Sequence, residues 1–103
     1  MGINFYGGDT ESGDVFIVET KAKPGMLLES HKHQHAHLSV LVSGIADVCI
    51  DDVCQRIEGY QLVRIPAGTV HKVQAVTDII WLCLWADDLA PKQKAYDSLD
   101  LFQ

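Results

Sequence analysis

Short runs of apolar residues, many of them β-branched or aromatic, alternate with turn residues along most of the chain. Almost none of the runs carries apolar residues at helical spacing, and each is about the length of a strand. Gly, Pro, Asp and Ser separate the runs, as they do between the strands of a sheet. Strands that recur every 8–12 residues or so indicate an all-β barrel or sandwich. The pattern predicts strands over residues 15–20, 26–28, 38–42, 45–50, 53–57, 62–65, 71–76 and 79–85.

A two-residue turn at Asp51-Asp52 fixes the register of one predicted hairpin. Pairing Ile50 with Val53 across this turn places Asp47 opposite Arg56. The second face then carries this charged pair together with two cysteines. The sorting of side chains between two faces supports the hairpin. The apolar face consists of Ala46, Val48, Ile50, Val53 and Ile57.

The three cysteines are predicted to be reduced thiols. No two of them have the Cys-x-x-Cys spacing of a zinc or redox motif. In the hairpin, Cys49 and Cys54 face each other in a non-hydrogen-bonded pair, with Cα atoms about 4.5 Å apart, a separation that a disulfide can span. Because disulfides are rare in a reducing cytosol, we expect free thiols at both positions and a buried thiol at Cys83.

The last predicted strand is apolar on both faces. A strand of a one-layer barrel has a polar outer face unless something covers it. Plain core packing, the polar tail at residues 87–103 or a second subunit can each explain the pattern, and aromatic residues are enriched in subunit interfaces. We expect a homodimer, and the sequence leaves the conformation of the tail open. One face carries Ile80, Leu82 and Leu84, and the other carries Trp81, Cys83 and Trp85.

The composition narrows the classes of partner. The chain has 103 residues, with 8 Lys and Arg against 14 Asp and Glu, and a net charge of −6. We expect one domain over residues 1–103, with its barrel at about 13–86. The acidic balance argues against nucleic acid, and no apolar run approaches the roughly 20 residues of a membrane-spanning helix. The N-terminus lacks the basic and apolar regions of a secretory signal, so we expect a cytoplasmic protein.

The histidines carry the candidate chemistry. Four lie within seven residues, at His31, His33, His35 and His37, and the fifth is His71. Side chains at positions i and i+2 of a strand point to one face, so His31 and His33 project together and can share a metal ion. The alternatives are a histidine-rich surface tract that binds metal adventitiously, and a coincidental clustering of histidines. Several imidazoles converging without a metal would be costly to protonate, which favours a metal site.

The residues around these histidines resemble the two motifs of the cupin family. The second motif ends in Pro-x-Gly-x-x-His, matched by Pro66-Ala67-Gly68-Thr69-Val70-His71. The first motif is matched at the family spacing by Gly25, His31-Lys32-His33, His37 in the glutamate position, and Gly44. The resemblance covers residues 25–75 and implies a small jelly-roll β-barrel. It also implies one divalent metal ion with the ligands His31, His33, His37 and His71.

Departures from the family pattern bear on the site. His37 replaces a glutamate, so the inferred site has four histidines. Gly59 lies one residue further from the Pro-x-Gly segment than in the family, which predicts a bulge near Gly59-Tyr60 or an alternative turn. Ala75 replaces the Asn that often closes the second motif. Cupins often carry a non-ligand His where this chain has His35, so we expect that side chain to lie behind the ligands or line the mouth.

Four neutral imidazoles would leave the full charge of a divalent ion uncancelled. Imidazole suits Zn, Cu, Fe and Ni, and the resemblance adds Mn, so the identity of the metal stays open.

Tyr60 is a weak candidate for an acid or hydrogen-bond donor and is more readily explained as structural. Glu29 is either a partner of the ligands or an ordinary solvated carboxylate. Lys32 and Lys72 should point away from the metal because side chains alternate along a strand.

Three functions fit these residues. The first is a metalloenzyme that acts on a small oxygen-bearing substrate, with dioxygenase-like oxidation as the best single hypothesis. The second is a module that binds or senses a small molecule or metal without turnover. The third is a structural metal site that only stabilises the barrel. An acidic exterior around a cationic interior site favours a small anionic or metal-chelating ligand.

Overall fold

The computed structural model describes residues 2–29 and 36–86, and this part of the chain is built mainly of β-strands. Every strand predicted from the hydrophobic pattern is present, with ends that differ by at most two residues. A short 3₁₀ turn at Thr10–Ser12 follows the first strand. None of the helical structure in this part is long and apolar enough to cross a membrane. The strands are β1 (Gly2–Gly7), β2 (Val15–Ala22), β3 (Leu27–Glu29), β4 (His37–Ser43), β5 (Ile45–Ile50), β6 (Val53–Glu58), β7 (Gln61–Ile65), β8 (His71–Ala75) and β9 (Ile79–Ala86).

The strands form two antiparallel sheets with one core between them. The larger sheet has the order β1-β2-β9-β4-β7, and the smaller has the order β3-β8-β5-β6. Most neighbours within a sheet are distant in sequence, which is the arrangement of a jelly roll. The all-β jelly-roll barrel expected from the sequence is confirmed. Its largest fully buried apolar side chains are those of Trp81, Phe16, Leu28, Leu41, Ile65 and Ile79.

Strand β9 shows how the alternation of side chains builds this core. Trp81 and Cys83 are buried on the inner face, whereas Leu82 and Leu84 are half-buried on the outer face. Both faces are apolar, as the sequence indicates. Cys83 is a buried thiol, as predicted, and Ser39 donates a hydrogen bond from Oγ to its Sγ at 3.6 Å. Burial raises the pKa of the Cys83 thiol because the thiolate would lose its solvation.

The hairpin of β5 and β6 has the predicted register. Ile50 pairs with Val53, and Asp47 pairs with Arg56. The turn residues at 51–52 have φ angles of 46° and 68°, as the commonest two-residue hairpin turn requires. Arg56 donates from Nε and Nη2 to the Asp47 carboxylate at 2.8 Å and 3.0 Å. This hydrogen bonding, helped by the Arg56 charge, holds the pKa of the Asp47 carboxyl below its ordinary 3.8.

The expectation of free thiols at Cys49 and Cys54 is wrong, because a disulfide joins them. Their Cα atoms lie 4.0 Å apart. The two residues occupy the non-hydrogen-bonded pair next to the turn, where antiparallel strands approach each other most closely. The expectation rested on the redox state of a compartment, whereas the hairpin brings the two cysteines close enough to bond. Cys54 is also exposed, in contrast to a core thiol.

Strand β1 was not predicted. It pairs with the start of the larger sheet, and Ile3 and Phe5 pack against the core. The Phe5 ring stacks on Phe16 with ring centroids 5.9 Å apart. The alternation of Ile3 and Phe5 with outward-facing neighbours was the available signal, but Gly2 and Asn4 are poor strand formers and weakened it. The sheet therefore begins at residue 2 rather than near residue 13.

The link between β6 and β7 is a tight turn at Gly59-Tyr60. The sequence predicted either a bulge or an alternative turn at this position, and the structure has a turn. A Cβ on Gly59 would lie 2.8 Å from the Cα atom of Ser43, so the close approach of the two segments requires glycine. The irregular register lies instead in β4, between Leu41 and Ser43.

Candidate metal centre

His37 and His71 lie at the same end of the barrel and on different sheets. His37 begins β4 in the larger sheet, and His71 begins β8 in the smaller one. Both side chains are buried, with 7% and 0% of their surface exposed. Their ring centroids are 5.6 Å apart, and the ring planes meet at 60°. The structure thus brings together two of the four predicted ligands.

The separation of the two rings fits two ligands of one metal ion. Zinc binds an imidazole nitrogen at about 2.0–2.1 Å, and the centre of the ring lies about 1.1 Å beyond that nitrogen. Two imidazoles on one ion therefore have centroids about 4.5 Å apart at a right angle and about 6.3 Å apart when they lie opposite each other. The observed 5.6 Å lies between these limits.

Trp85 holds the His37 ring in its orientation. The two rings stack with centroids 4.2 Å apart and planes at 26°. Trp85 is buried on the inner face of β9, which is the sheet neighbour of β4. Stacking of this kind restricts rotation of the smaller ring about its χ2 angle. The sequence places Trp85 on an apolar strand but gives no sign of its contact with His37, because the pairing of β4 with β9 spans more than forty residues.

A five-residue loop connects the two histidine positions. Ile65, at the end of β7, pairs with His37, and the loop at residues 66–70 then leads directly to His71. Thr69 donates from Oγ1 to the carbonyl oxygen of Pro66 at 2.7 Å, which closes the loop on itself. The loop therefore carries the chain from the larger sheet to the smaller one at the site.

The remaining histidines fall outside the residues that the structure describes; they are His31, His33 and His35. Strand β3 ends just before this segment and strand β4 begins just after it, and both border the site. Glu29 ends β3 and pairs with Lys72, the neighbour of His71, while His37 opens β4. Lys72 is exposed, as its alternation predicts. Within residues 2–29 and 36–86, no three His, Cys, Asp or Glu residues come together as a metal site.

Tyr60 lies far from the two histidines. Its side chain is 77% exposed and belongs to the turn before β7. The far end of that strand is Ile65, which pairs with His37. Five residues of strand span about 16 Å at roughly 3.3 Å per residue, so Tyr60 sits toward the opposite end of the barrel. This position does not support a role for Tyr60 in chemistry at the site.

A groove of about 420 Å³ opens beside His37. The surface that lines it is almost wholly apolar. Leu38 and Arg64 are exposed whereas His37 and Ile65 are buried, so the groove lies on the outer face of the larger sheet. The lining residues are Ala36, His37, Leu38, Arg64, Ile65 and Pro66.

Solved structures resemble this chain, whereas no family model and no curated protein matches it. A cupin 2 domain-containing protein from Halorhodospira halophila is 21% identical, with a TM-score of 0.72 over 84% of this chain and 63% of that one. KdgF from Halomonas sp. is also 21% identical, with a TM-score of 0.69 over 84% of this chain and 81% of that one.

Oxalate decarboxylase from Bacillus subtilis, which has Mn(II) centres, is 26% identical, with a TM-score of 0.65 over 76% of this chain and 22% of that one. The chain thus spans less than two-thirds of the Halorhodospira protein and about a fifth of the decarboxylase. These likenesses show that the chain has the cupin fold, as its two motifs imply.

Proposed function

We propose that the chain binds one divalent transition metal ion between its two sheets, through His31, His33, His37 and His71. The observation that carries this proposal is the pair of buried imidazoles of His37 and His71, whose ring centroids are 5.6 Å apart. Two imidazoles buried so close together would repel each other strongly if both were protonated. As neutral ligands of one ion they avoid that cost, and the metal offsets their burial.

The proposed activity is a dioxygenase-like oxidation of a small oxygen-bearing substrate. Four neutral imidazoles would leave the ion its full +2 charge, and such an ion supplies Lewis-acid or redox chemistry. Trp85 keeps the His37 ring in place.

The metal is one of Fe, Mn, Zn, Ni or Cu. Imidazole ligands favour most of these ions, and the Mn(II) centres of oxalate decarboxylase show that this fold can also hold manganese. Elemental analysis of untagged protein purified without chelator identifies the ion.

The alternative function is a binding module that senses a metal or a small molecule without turnover. The same histidines support it, since holding a metal ion requires no reaction. Oxygen uptake separates the two: we expect the metal-loaded protein to consume dioxygen with enols, diols or thiols as candidate substrates. Tight binding of such compounds without oxygen uptake would favour the module. A His71→Ala variant is the control, since either activity should depend on the metal.

We also propose a homodimer in which the outer face of the larger sheet is covered by the same face of a second copy. Its strands are about 4.8 Å apart and up to eight residues long, so the face measures about 20 by 25 Å. Monomers rarely expose an apolar patch larger than a few hundred Å². The apolar side chains of this face are Tyr6, Ile17, Leu38, Val40, Val42, Leu62, Ile80, Leu82 and Leu84.

The charges on this face favour a second copy over an unrelated partner. Glu19 lies on β2 and Arg64 lies on β7, on opposite sides of the central strands β9 and β4. Consider a two-fold axis that runs parallel to the strands and passes between β9 and β4. This axis places β2 of one copy over β7 of the other. Glu19 then lies two residues along the strand from the level of Arg64 of the partner subunit, a distance that the long arginine side chain can span, and the apolar centre faces itself.

A further inference from the structure

We infer that Asp51 is a positioning residue for His71, and that it sets the place of this histidine relative to His37. This inference rests on the proposed function, because it assigns Asp51 a role in the geometry of the same metal site. Asp51 is the first turn residue of the β5–β6 hairpin. It is the residue on the smaller sheet that holds the loop at 66–70, which joins the two histidine positions.

The contact involves both backbone groups of the residue before the ligand. The Val70 N–H donates to Asp51 Oδ1 at 2.9 Å, and the Asp51 N–H donates to the Val70 carbonyl oxygen at 2.9 Å. The first of these bonds is charge-assisted and therefore stronger than a bond between neutral groups. Val70 is thus fixed on two sides, and His71 follows it directly.

The pairing of β5 with β8 extends this constraint to His71. Ile50, which precedes Asp51, is the Cα partner of His71 in the pairing of β5 with β8. The other end of the loop is fixed to the larger sheet, because Ile65 pairs with His37. Loss of the bond from the Val70 N–H to the Asp51 side chain therefore loosens the loop end from which β8 begins, while the backbone bond between Asp51 and Val70 remains.

The conformation of the turn limits which residue can make this contact. Asp51 has a φ of 46°, in the left-handed region that Asp, Asn and Gly adopt most readily. Of these, only Asp and Asn have a side-chain oxygen that can accept from Val70. Asp52 has a φ of 68° in the same turn, and its side chain makes no contact with the loop among the described hydrogen bonds. Asp52 is therefore a matched control.

The test compares Asp51→Gly, Asp51→Asn and Asp52→Gly by titrating each apoprotein with Co²⁺ and with Zn²⁺. Both glycine variants relieve the same backbone conformation, but only Asp51→Gly removes the acceptor. We expect Asp51→Gly to weaken metal binding by up to about tenfold, the lower end of the range for direct hydrogen-bond partners of metal ligands, because Asp51 acts on His71 through Val70. Asp52→Gly and Asp51→Asn should bind within about twofold of wild type.

A second readout separates positioning from general stability. The visible spectrum of bound Co²⁺ reports the arrangement of its ligands, so it should change in Asp51→Gly and not in Asp52→Gly. Equal affinities and identical spectra for the two glycine variants would overturn the role of Asp51 while leaving the metal site intact. If the wild type binds neither ion, the proposed function itself fails. Should Asp51→Gly not fold, Asp51→Glu keeps the charge but displaces the acceptor, and it should show the same loss and the same spectral change.

Discussion

The Cys49–Cys54 disulfide should stabilise the folded protein measurably, although it closes a short loop. The perturbation is the double variant Cys49→Ser/Cys54→Ser, compared with the wild type. The two cysteines are five positions apart, so the closed loop contains six residues. The chain-entropy relation then gives a stabilisation of about 2 kcal/mol. For a domain near 100 residues, a loss of this size lowers Tm by roughly 8–16 °C.

The assay is urea unfolding with and without dithiothreitol. Reductant should lower the free energy of unfolding of the wild type by about 2 kcal/mol and leave the double variant unchanged, which makes that variant the control for other effects of the reagent. Titration with a thiol reagent gives an independent count of the free cysteines. The unreduced wild type should expose one reactive thiol on denaturation, that of Cys83, and three after reduction.

Two results would refute this reasoning. Three reactive thiols in the denatured, unreduced protein would mean that the hairpin does not hold a disulfide. A double variant as stable as the oxidised wild type would mean that the bond does not restrict the unfolded chain as the entropy relation requires.

Three other predictions follow from the fold. Leu41→Ala should cost about 2–5 kcal/mol in urea unfolding, because Leu41 is 0% exposed, whereas Val53→Ala, at 76% exposed, should change the stability by less than about 0.5 kcal/mol. Asp47→Asn should destabilise the protein at pH 7. Because the folded-state pKa of Asp47 is lowered, its contribution is present above pH 3.8 and is lost as the pH falls through the folded pKa. A difference that does not shrink as the pH falls below 3.8 would contradict this. Leu82→Glu should convert a dimer into a monomer in sedimentation, while Gln74→Glu on the other sheet should not.

The sequence predicts most of this fold because its strands carry strong local signals. The hairpin is the best example: the turn at 51–52 and the pairing of Asp47 with Arg56 fix its register without any long-range information. Strand β1 shows the opposite case. Its glycines and Asn4 give a weak local signal, and it forms because Ile3 and Phe5 find a core surface on β2.

The candidate site was only partly predictable, because its ligands and their supports come from different parts of the chain. The spacing of the motifs indicates His37 and His71, and the structure places both at one end of the barrel. Trp85 stacks on His37, and Asp51 contacts Val70, the residue before His71; both lie far from the histidines in sequence. Those contacts depend on sheet pairings over long separations, which periodicity does not reveal.

The most direct test of the metal site is the metal content of the protein purified without chelator, measured by elemental analysis for the wild type and for single histidine variants. We predict about one transition metal ion per chain in the wild type, and a loss of most of it in His37→Ala and in His71→Ala. His35→Ala should keep its metal, since His35 is expected to be a non-ligand, and so should Gln74→Ala on the same strand as His71. Full metal content in His37→Ala and His71→Ala, or no metal in the wild type after reconstitution, would contradict the proposed site.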